Sequence, residues 1–220
     1  MIPADLLNFL KELKDNNHKP WFDENRERYQ NLRKEMVRLI QELIPQIAQF
    51  DPSILPLEPK DCIFRINRDI RFSNDKTPYK TNMGAYMARG GRKSPYGGYY
   101  LHIEPGGSFL AGGIYQPSSA VLKEVRSEIY YDVEKFKSII LDKTFKTYFK
   151  EIWSEKLKSA PRGFPSDWPD IELLKFKHYT VIHELQDDKI IQKDFPDFAI
   201  KVFKVLQPFN TYFNRVIENI

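Results

Sequence analysis

The sequence predicts an α+β protein, with a central, mainly antiparallel sheet flanked by N- and C-terminal helices. Apolar residues recur at helical spacing near both ends of the 220-residue chain, whereas β-branched and aromatic residues are concentrated in its middle. Nine of the ten glycines lie between residues 84 and 113, where they separate short strand-like segments. Helices at the ends and strands between them are typical of the α+β class.

We expect one domain over residues 1–220, a length that suits a single hydrophobic core. Its first part, residues 1–50, is predicted to be helical. A strand-rich core follows over 61–116, and 117–220 is predicted to hold helices and one further strand.

The N-terminal part is predicted to contain two helices. Apolar residues recur at helical spacing from Leu6 until Asn16-Asn17 ends the first helix. A second helix begins around Lys19-Pro20-Trp21, because proline is tolerated in a first helical turn. Its apolar stripe continues to Leu43, and Pro45 is expected to kink or end it.

The middle part is predicted to form the sheet. Residues 51–60 contain three prolines and form an irregular connection, after which Cys62–Ile66 has the composition of a first strand. Three more strands are expected over 82–89, 99–104 and 108–115. Residues 104–108 are predicted to be the hairpin loop that joins the last two.

Helices dominate the predicted C-terminal part. The expected elements are a helix capped by Ser118 or Ser119, one after Asp132, one over 144–153, a strand over 177–185 and a long helix from residue 194 with a kink at Pro208. Residues 159–169 hold three prolines and a glycine, so they are predicted to be a loop.

Composition excludes several classes of protein. A hydrophobic share of 41% beside a charged share of 29% fits a folded chain and argues against extended disorder. No run approaches the roughly 18 apolar residues of a membrane span, and the first residues lack the pattern of a secretory signal. A lone cysteine, Cys62, excludes an internal disulfide framework. We therefore expect a cytoplasmic protein without a membrane partner.

Positive charge is concentrated in one stretch. Between Arg65 and Lys93 eight lysines and arginines face two aspartates, a local charge of +6 that leaves the rest of the +4 chain at −2. A focused positive patch on a near-neutral body favours an anionic ligand.

The densest polar stretch runs from residue 65 to residue 80, with arginines at spacings of three. Guanidinium groups stay charged and offer fixed donors, so clustered arginines suit phosphate or carboxylate. The predicted ligand-binding residues are Arg65, Arg68, Arg71, Lys76 and Tyr79. Asp69 is predicted to orient an arginine or to act as a base. In the alternative, the arginines and aspartates form a structural network in a non-catalytic interaction domain.

Two further candidate catalytic residues lie on a predicted strand. Period-two alternation places Tyr100, His102 and Glu104 on one face, so His102 and Glu104 could form an acid–base pair. Two ligands do not make a metal site, and the sequence has no zinc-binding spacing of cysteine and histidine. No metal site is therefore predicted, and no particular cofactor is indicated.

The arginine-rich stretch also resembles a known family signature. The pattern Arg65-x-x-Arg68-Asp69-x-Arg71-Phe72-x-x-x-Lys76-x-x-Tyr79 is similar to that of the domain of unknown function 2461 family, whose members are mostly bacterial and of about this length. Trp21-Phe22 and Gly112-Gly113-Ile-Tyr115-x-Pro117 extend the resemblance along the chain. The resemblance supports the choice of site and supplies no reaction.

Two functional hypotheses remain beside the structural network. The leading one is a protein that binds a phosphate- or carboxylate-bearing small molecule through its arginine cluster, as a binding protein or as an enzyme. The second is a module for single-stranded nucleic acid, because six of the twelve tyrosines lie between Tyr79 and Tyr115 among the basic residues. The sequence leaves the reaction and the oligomeric state open.

Overall fold

The computed structural model describes residues 2–220 and has the predicted α+β architecture. The N-terminal helices are α1 (Ala4–Asp15), α2 (Lys19–Glu24), α3 (Arg26–Ala48) and α4 (Pro59–Cys62), with a short 3-10 turn at Pro52–Ile54. The predicted second helix is two helices, because the chain breaks at Asn25, whose side chain donates to the Trp21 carbonyl. Pro45 does not end α3, which continues through the proline to Ala48.

The predicted first strand at Cys62–Ile66 is wrong. Pro59 begins the short helix α4, which keeps Cys62 in helical conformation. Only two residues after it lie beside the sheet: Ile63 forms an isolated bridge with Ala85, and the Phe64 N–H donates to the Gly84 carbonyl at 3.0 Å. The segment is extended without being a strand.

The sheet has four antiparallel strands in sequential order among the described residues. They are β1 (Met83–Met87), β2 (Gly98–Ile103), β3 (Ser108–Ile114) and β4 (Tyr179–Leu185). Each lies where a strand was predicted. The hairpin between β2 and β3 turns at Gly106, whose φ of 69° glycine adopts without strain.

The C-terminal helices are α5 (Ser119–Tyr131), α6 (Val133–Ile140), α7 (Lys143–Tyr148), α8 (Ile171–Leu174), α9 (Asp187–Ile190) and α10 (Phe195–Glu218). Ser118 caps α5 as predicted, and Asp132 caps α6, which begins after it as predicted; each side chain accepts a hydrogen bond from a first-turn N–H. The predicted helix over 144–153 is too long. Instead of continuing the helix, Ile152 pairs with Val181, because β4 is an edge strand with free backbone groups.

One face of the sheet packs against α10 and forms the core. The helix lies tightly against the sheet at Gly112 of β3, where a Cβ atom would collide with the Leu206 side chain of α10. The next glycine, Gly113, has a φ of 99°, and a Cβ atom there would collide with the Tyr179 carbonyl. We call the opposite face, which carries Tyr100, the outer face. No helix within residues 2–220 is long and apolar enough to cross a membrane.

Candidate functional site

A cavity of about 270 Å³ lies between α3 and the extended segment that follows α4. Its cationic lining residues are Arg26, Arg33, Lys60, Arg65 and Arg92. None of the residues that line it is an aspartate or a glutamate. We call it the cationic cavity. Its lining concentrates positive charge on a scale that fits a small anion.

An aromatic floor gives the cationic cavity a fixed shape. The buried ring of Tyr79 stacks on Phe22 with 4.0 Å between the ring centroids. Asn17 holds the Tyr79 backbone from both sides, accepting from its N–H at 3.0 Å and donating to its carbonyl at 2.9 Å. Burial raises the pKa of Tyr29, another lining residue, and nearby Arg33 opposes that shift. Such a floor costs little reorganisation when a ligand binds.

Three of the five cations, Arg33, Arg65 and Arg92, lack a carboxylate partner in the described part of the chain. Arg92 donates instead to the Lys60 carbonyl at 2.5 Å. Arg26 pairs with Asp23, and Lys60 pairs with Glu58. The salt bridges among residues 2–220 include none to Arg33 or Arg65, and neither side chain makes a hydrogen bond. Their guanidinium donors are therefore free for a ligand.

Arg68 and Lys76 hold a loop together and do not line the cavity. The Arg68 guanidinium contacts the Asp75 carboxylate and donates to the Thr77 carbonyl at 3.1 Å. Lys76 donates to the Ile70 carbonyl at 3.0 Å. These bonds link the two ends of the loop that follows the extended segment, and neither residue lines the cationic cavity.

Arg71 and Asp69 form an exposed pair of their own. Two nitrogens of Arg71 donate to the two oxygens of Asp69 at 2.9 and 2.6 Å. These hydrogen bonds lower the pKa of Asp69, with a smaller contribution from Arg65. Asp69 therefore orients one arginine, and that arginine does not line the cationic cavity.

Tyr100, His102 and Glu104 form a hydrogen-bonded chain on the outer face. The Tyr100 hydroxyl lies 2.9 Å from Nδ1 of His102, and Nε2 of His102 lies 3.2 Å from Oε2 of Glu104. The Thr81 hydroxyl donates to the other oxygen of Glu104 at 3.0 Å. Burial lowers the pKa of His102, and Glu104 opposes that shift. The strand alternation predicted for these residues is observed.

The cationic cavity and this hydrogen-bonded chain lie on opposite sides of the extended segment. Ile63 and Arg65 line the cavity, whereas Phe64, between them, packs edge-on against the Tyr100 ring with centroids 6.2 Å apart. Successive side chains of an extended backbone point in opposite directions, which explains the division. His102 and Glu104 are therefore not part of the cavity lining.

A family model described as "Conserved hypothetical protein (DUF2461)" matches residues 5–212. The chain belongs to the DUF2461 family. No curated protein and no solved structure matches it. The family model spans the helices of the cationic cavity and all four strands, so both groups of candidate residues lie inside the part shared with the DUF2461 family.

Two other kinds of site have no geometric support in this DUF2461 chain. Within the described residues there is no group of three or more histidine, cysteine, aspartate and glutamate side chains that could hold a metal ion. Cys62 is buried, and burial raises its thiol pKa to about 12, so the thiol stays protonated at neutral pH. Cys62 is a packed side chain.

Of the five predicted ligand-binding residues, the structure brings Arg65 and Tyr79 into the cationic cavity. The remaining three, Arg68, Arg71 and Lys76, lie elsewhere. Sequence reasoning missed the cations of α3, α4 and the turn after β1. One signal was available: Arg26 and Arg33 are seven residues apart, which places them on one helix face two turns from each other.

Proposed function

We propose that this DUF2461 protein binds a phosphate- or carboxylate-bearing small molecule in the cationic cavity, with Arg33 and Arg65 as the principal anion-binding groups. The observation that carries this proposal is a lining with five cations and no carboxylate. Like charges gathered in one place repel each other while the site is empty, and a bound anion relieves that repulsion.

Arg33 and Arg65, whose side chains have neither a carboxylate partner nor a hydrogen bond among the described residues, are the best suited of the five cations. A guanidinium can donate two parallel hydrogen bonds to a phosphate or carboxylate, and the resulting charge-assisted bonds are about twice as strong as neutral ones. Arg26 and Lys60 are already paired with carboxylates outside the cavity, so they would attract the anion less strongly. Tyr79 would contribute its ring or hydroxyl from the floor.

The size of the cavity favours a small ligand. Small-molecule sites usually enclose about 300–1,000 Å³. A volume of about 270 Å³ therefore suits one or two anionic groups on a compact organic body. A polymeric ligand would need an open groove instead.

The nucleic-acid hypothesis has weaker support. A single-strand binder stacks bases on exposed aromatic rings. Tyr79 and Tyr99 are buried in the core, and the hydroxyl of half-buried Tyr86 donates to a backbone carbonyl at 2.7 Å. Among the six tyrosines of the basic region only Tyr115, at 59% exposure, offers an open ring.

The test is ligand-induced stabilisation, measured by thermal unfolding with inorganic phosphate, pyrophosphate and citrate. A ligand at 100 times its Kd stabilises the folded state by about 2.7 kcal/mol. We expect Arg33→Gln to remove most of this effect while leaving the free protein as stable as before or more so.

Arg38→Gln is the matched control. Arg38 is an exposed arginine on the same helix, paired with Glu35 and outside the cavity lining. It should retain the full ligand response. If none of the three anions stabilises the protein, or if both variants lose the response equally, the cationic cavity is not the anion site.

A further inference from the structure

The hydrogen-bonded chain on the outer face has a defined direction. A carboxylate only accepts hydrogen bonds, so the proton of neutral His102 must sit on Nε2, which faces Glu104. Nδ1 is then a free acceptor, and the Tyr100 hydroxyl is its donor at 2.9 Å. Carboxylate, imidazole and hydroxyl in this order are the arrangement by which hydrolases activate a nucleophilic hydroxyl.

The surroundings hold these side chains in place. The His102 ring stacks on Phe109 with centroids 4.5 Å apart and planes 11° from parallel. Tyr100 lies over Gly84, where a Cβ atom would come within 2.6 Å of the Tyr100 hydroxyl oxygen. Any larger residue at that position would displace the phenol, so the glycine keeps room for it.

The resting protonation states fit proton transfer toward His102. Burial lowers the pKa of His102, so its imidazole is neutral and able to accept a proton at neutral pH. Burial, Glu104 and Tyr115 raise the pKa of Tyr100 to about 12, so its hydroxyl keeps its proton at rest. Tyr100 therefore needs His102 in order to react, and an imidazolium formed there would face the Glu104 carboxylate.

We propose that the outer face is a second site, separate from the cationic cavity, where Tyr100 accepts a proton from an alcohol or phenol. Tyr100 is the catalytic residue, and His102 and Glu104 are the groups that position and activate it.

The proton balance of the step is complete. The substrate O–H bond breaks, and its proton bonds to the Tyr100 oxygen as the proton of Tyr100 moves to Nδ1 of His102. The substrate leaves the step as an oxyanion able to attack an electrophile, and His102 becomes an imidazolium beside Glu104. No electrons are transferred, and no co-reactant is needed for this step.

The probe for this site is benzenesulfonyl fluoride, a small aromatic electrophile. The Tyr100 oxygen would bond to sulfur, the S–F bond would break, fluoride would leave and the phenolic proton would pass to His102. The site of labelling is mapped by peptide mass spectrometry on the full chain. We expect half-buried Tyr100 to react faster than Tyr131, which is 84% exposed and makes no side-chain hydrogen bond.

Two variants separate activation from simple exposure. His102→Phe keeps a flat ring against Phe109 but removes the base, and it should slow labelling of Tyr100 by about 100-fold, the lower end of general-base effects. Glu104→Gln should slow it about tenfold and serves as the second variant if His102→Phe does not fold. Tyr131 labelling, the internal control, should not change.

The proposal is overturned if Tyr100 in the unaltered protein reacts no faster than Tyr131. It is also overturned if the folded variants leave the ratio of the two labelling rates unchanged. Because none of these measurements involves an anion or the cavity arginines, failure here would leave the proposed anion site untouched.

Discussion

Replacing Asn210 by alanine would break the polar link between α10 and the sheet. The side chain is 1% exposed, and it donates to the Gly98 carbonyl at 2.9 Å while accepting from the Gly113 N–H at 2.8 Å. Alanine leaves both buried backbone groups without this partner. Each unsatisfied group costs about 1–3 kcal/mol, so we expect Asn210→Ala to lower the free energy of unfolding by about 2–6 kcal/mol.

The assay is urea unfolding at equilibrium, in which the midpoint should fall while the slope stays unchanged. Asn214→Ala is the control, since Asn214 lies one turn later and binds both backbone groups of Gly97, at 2.7 and 3.1 Å. That residue is only half-buried, so water can replace its bonds, and the loss should be about 1 kcal/mol. The reasoning is refuted if Asn210→Ala costs less than Asn214→Ala.

Three other predictions concern stability. Gly113→Ala should lower the free energy of unfolding, measured in urea, more than Gly163→Ala does. Both glycines have positive φ, but only Gly113 has neighbours that a Cβ atom would strike; equal losses would contradict this. Arg68→Ala should lower the free energy of unfolding by only about 1 kcal/mol and leave phosphate binding intact, because its partner Asp75 is 59% exposed and can be solvated by water; lost phosphate binding would place Arg68 in the site. Stability should fall as the pH drops below about 6.5, since burial disfavours protonated His102, and His102→Phe should weaken this fall; an unchanged pH profile would contradict it.

Local patterns were enough to predict most of the fold. The helical spacing from Leu6 onward and the glycines between the strands are patterns of residues close in sequence. The helix and the strands that they predict are present in the structure. The wrong prediction of a strand at Cys62–Ile66 also has a local cause. Pro59 begins a short helix that includes Cys62, and the strand-like composition of the segment does not reveal that helix. Ile152 joined the sheet edge through pairing with a residue 29 positions away, which no local pattern contains.

The site was less predictable, for a physical reason. Arg68 and Arg71 form salt bridges with carboxylates at most seven residues away. The closely spaced charges of this stretch therefore pair locally and do not form a shared ligand site. Arg33 joins Arg65 only because α3 packs beside the extended segment. That contact depends on tertiary structure, and one sequence alone does not reveal it.

The central claim is that the anion binds in the cationic cavity, and not along the arginine-rich stretch as a whole. The most direct measurement is the Kd of pyrophosphate for Arg65→Gln and for Arg71→Gln, by isothermal titration calorimetry. Arg65 lines the cavity and Arg71 does not. We predict at least tenfold weaker binding for Arg65→Gln, about 1.4 kcal/mol, and a Kd within twofold of the unaltered protein for Arg71→Gln. An equal or larger loss in Arg71→Gln would contradict the assignment of the site.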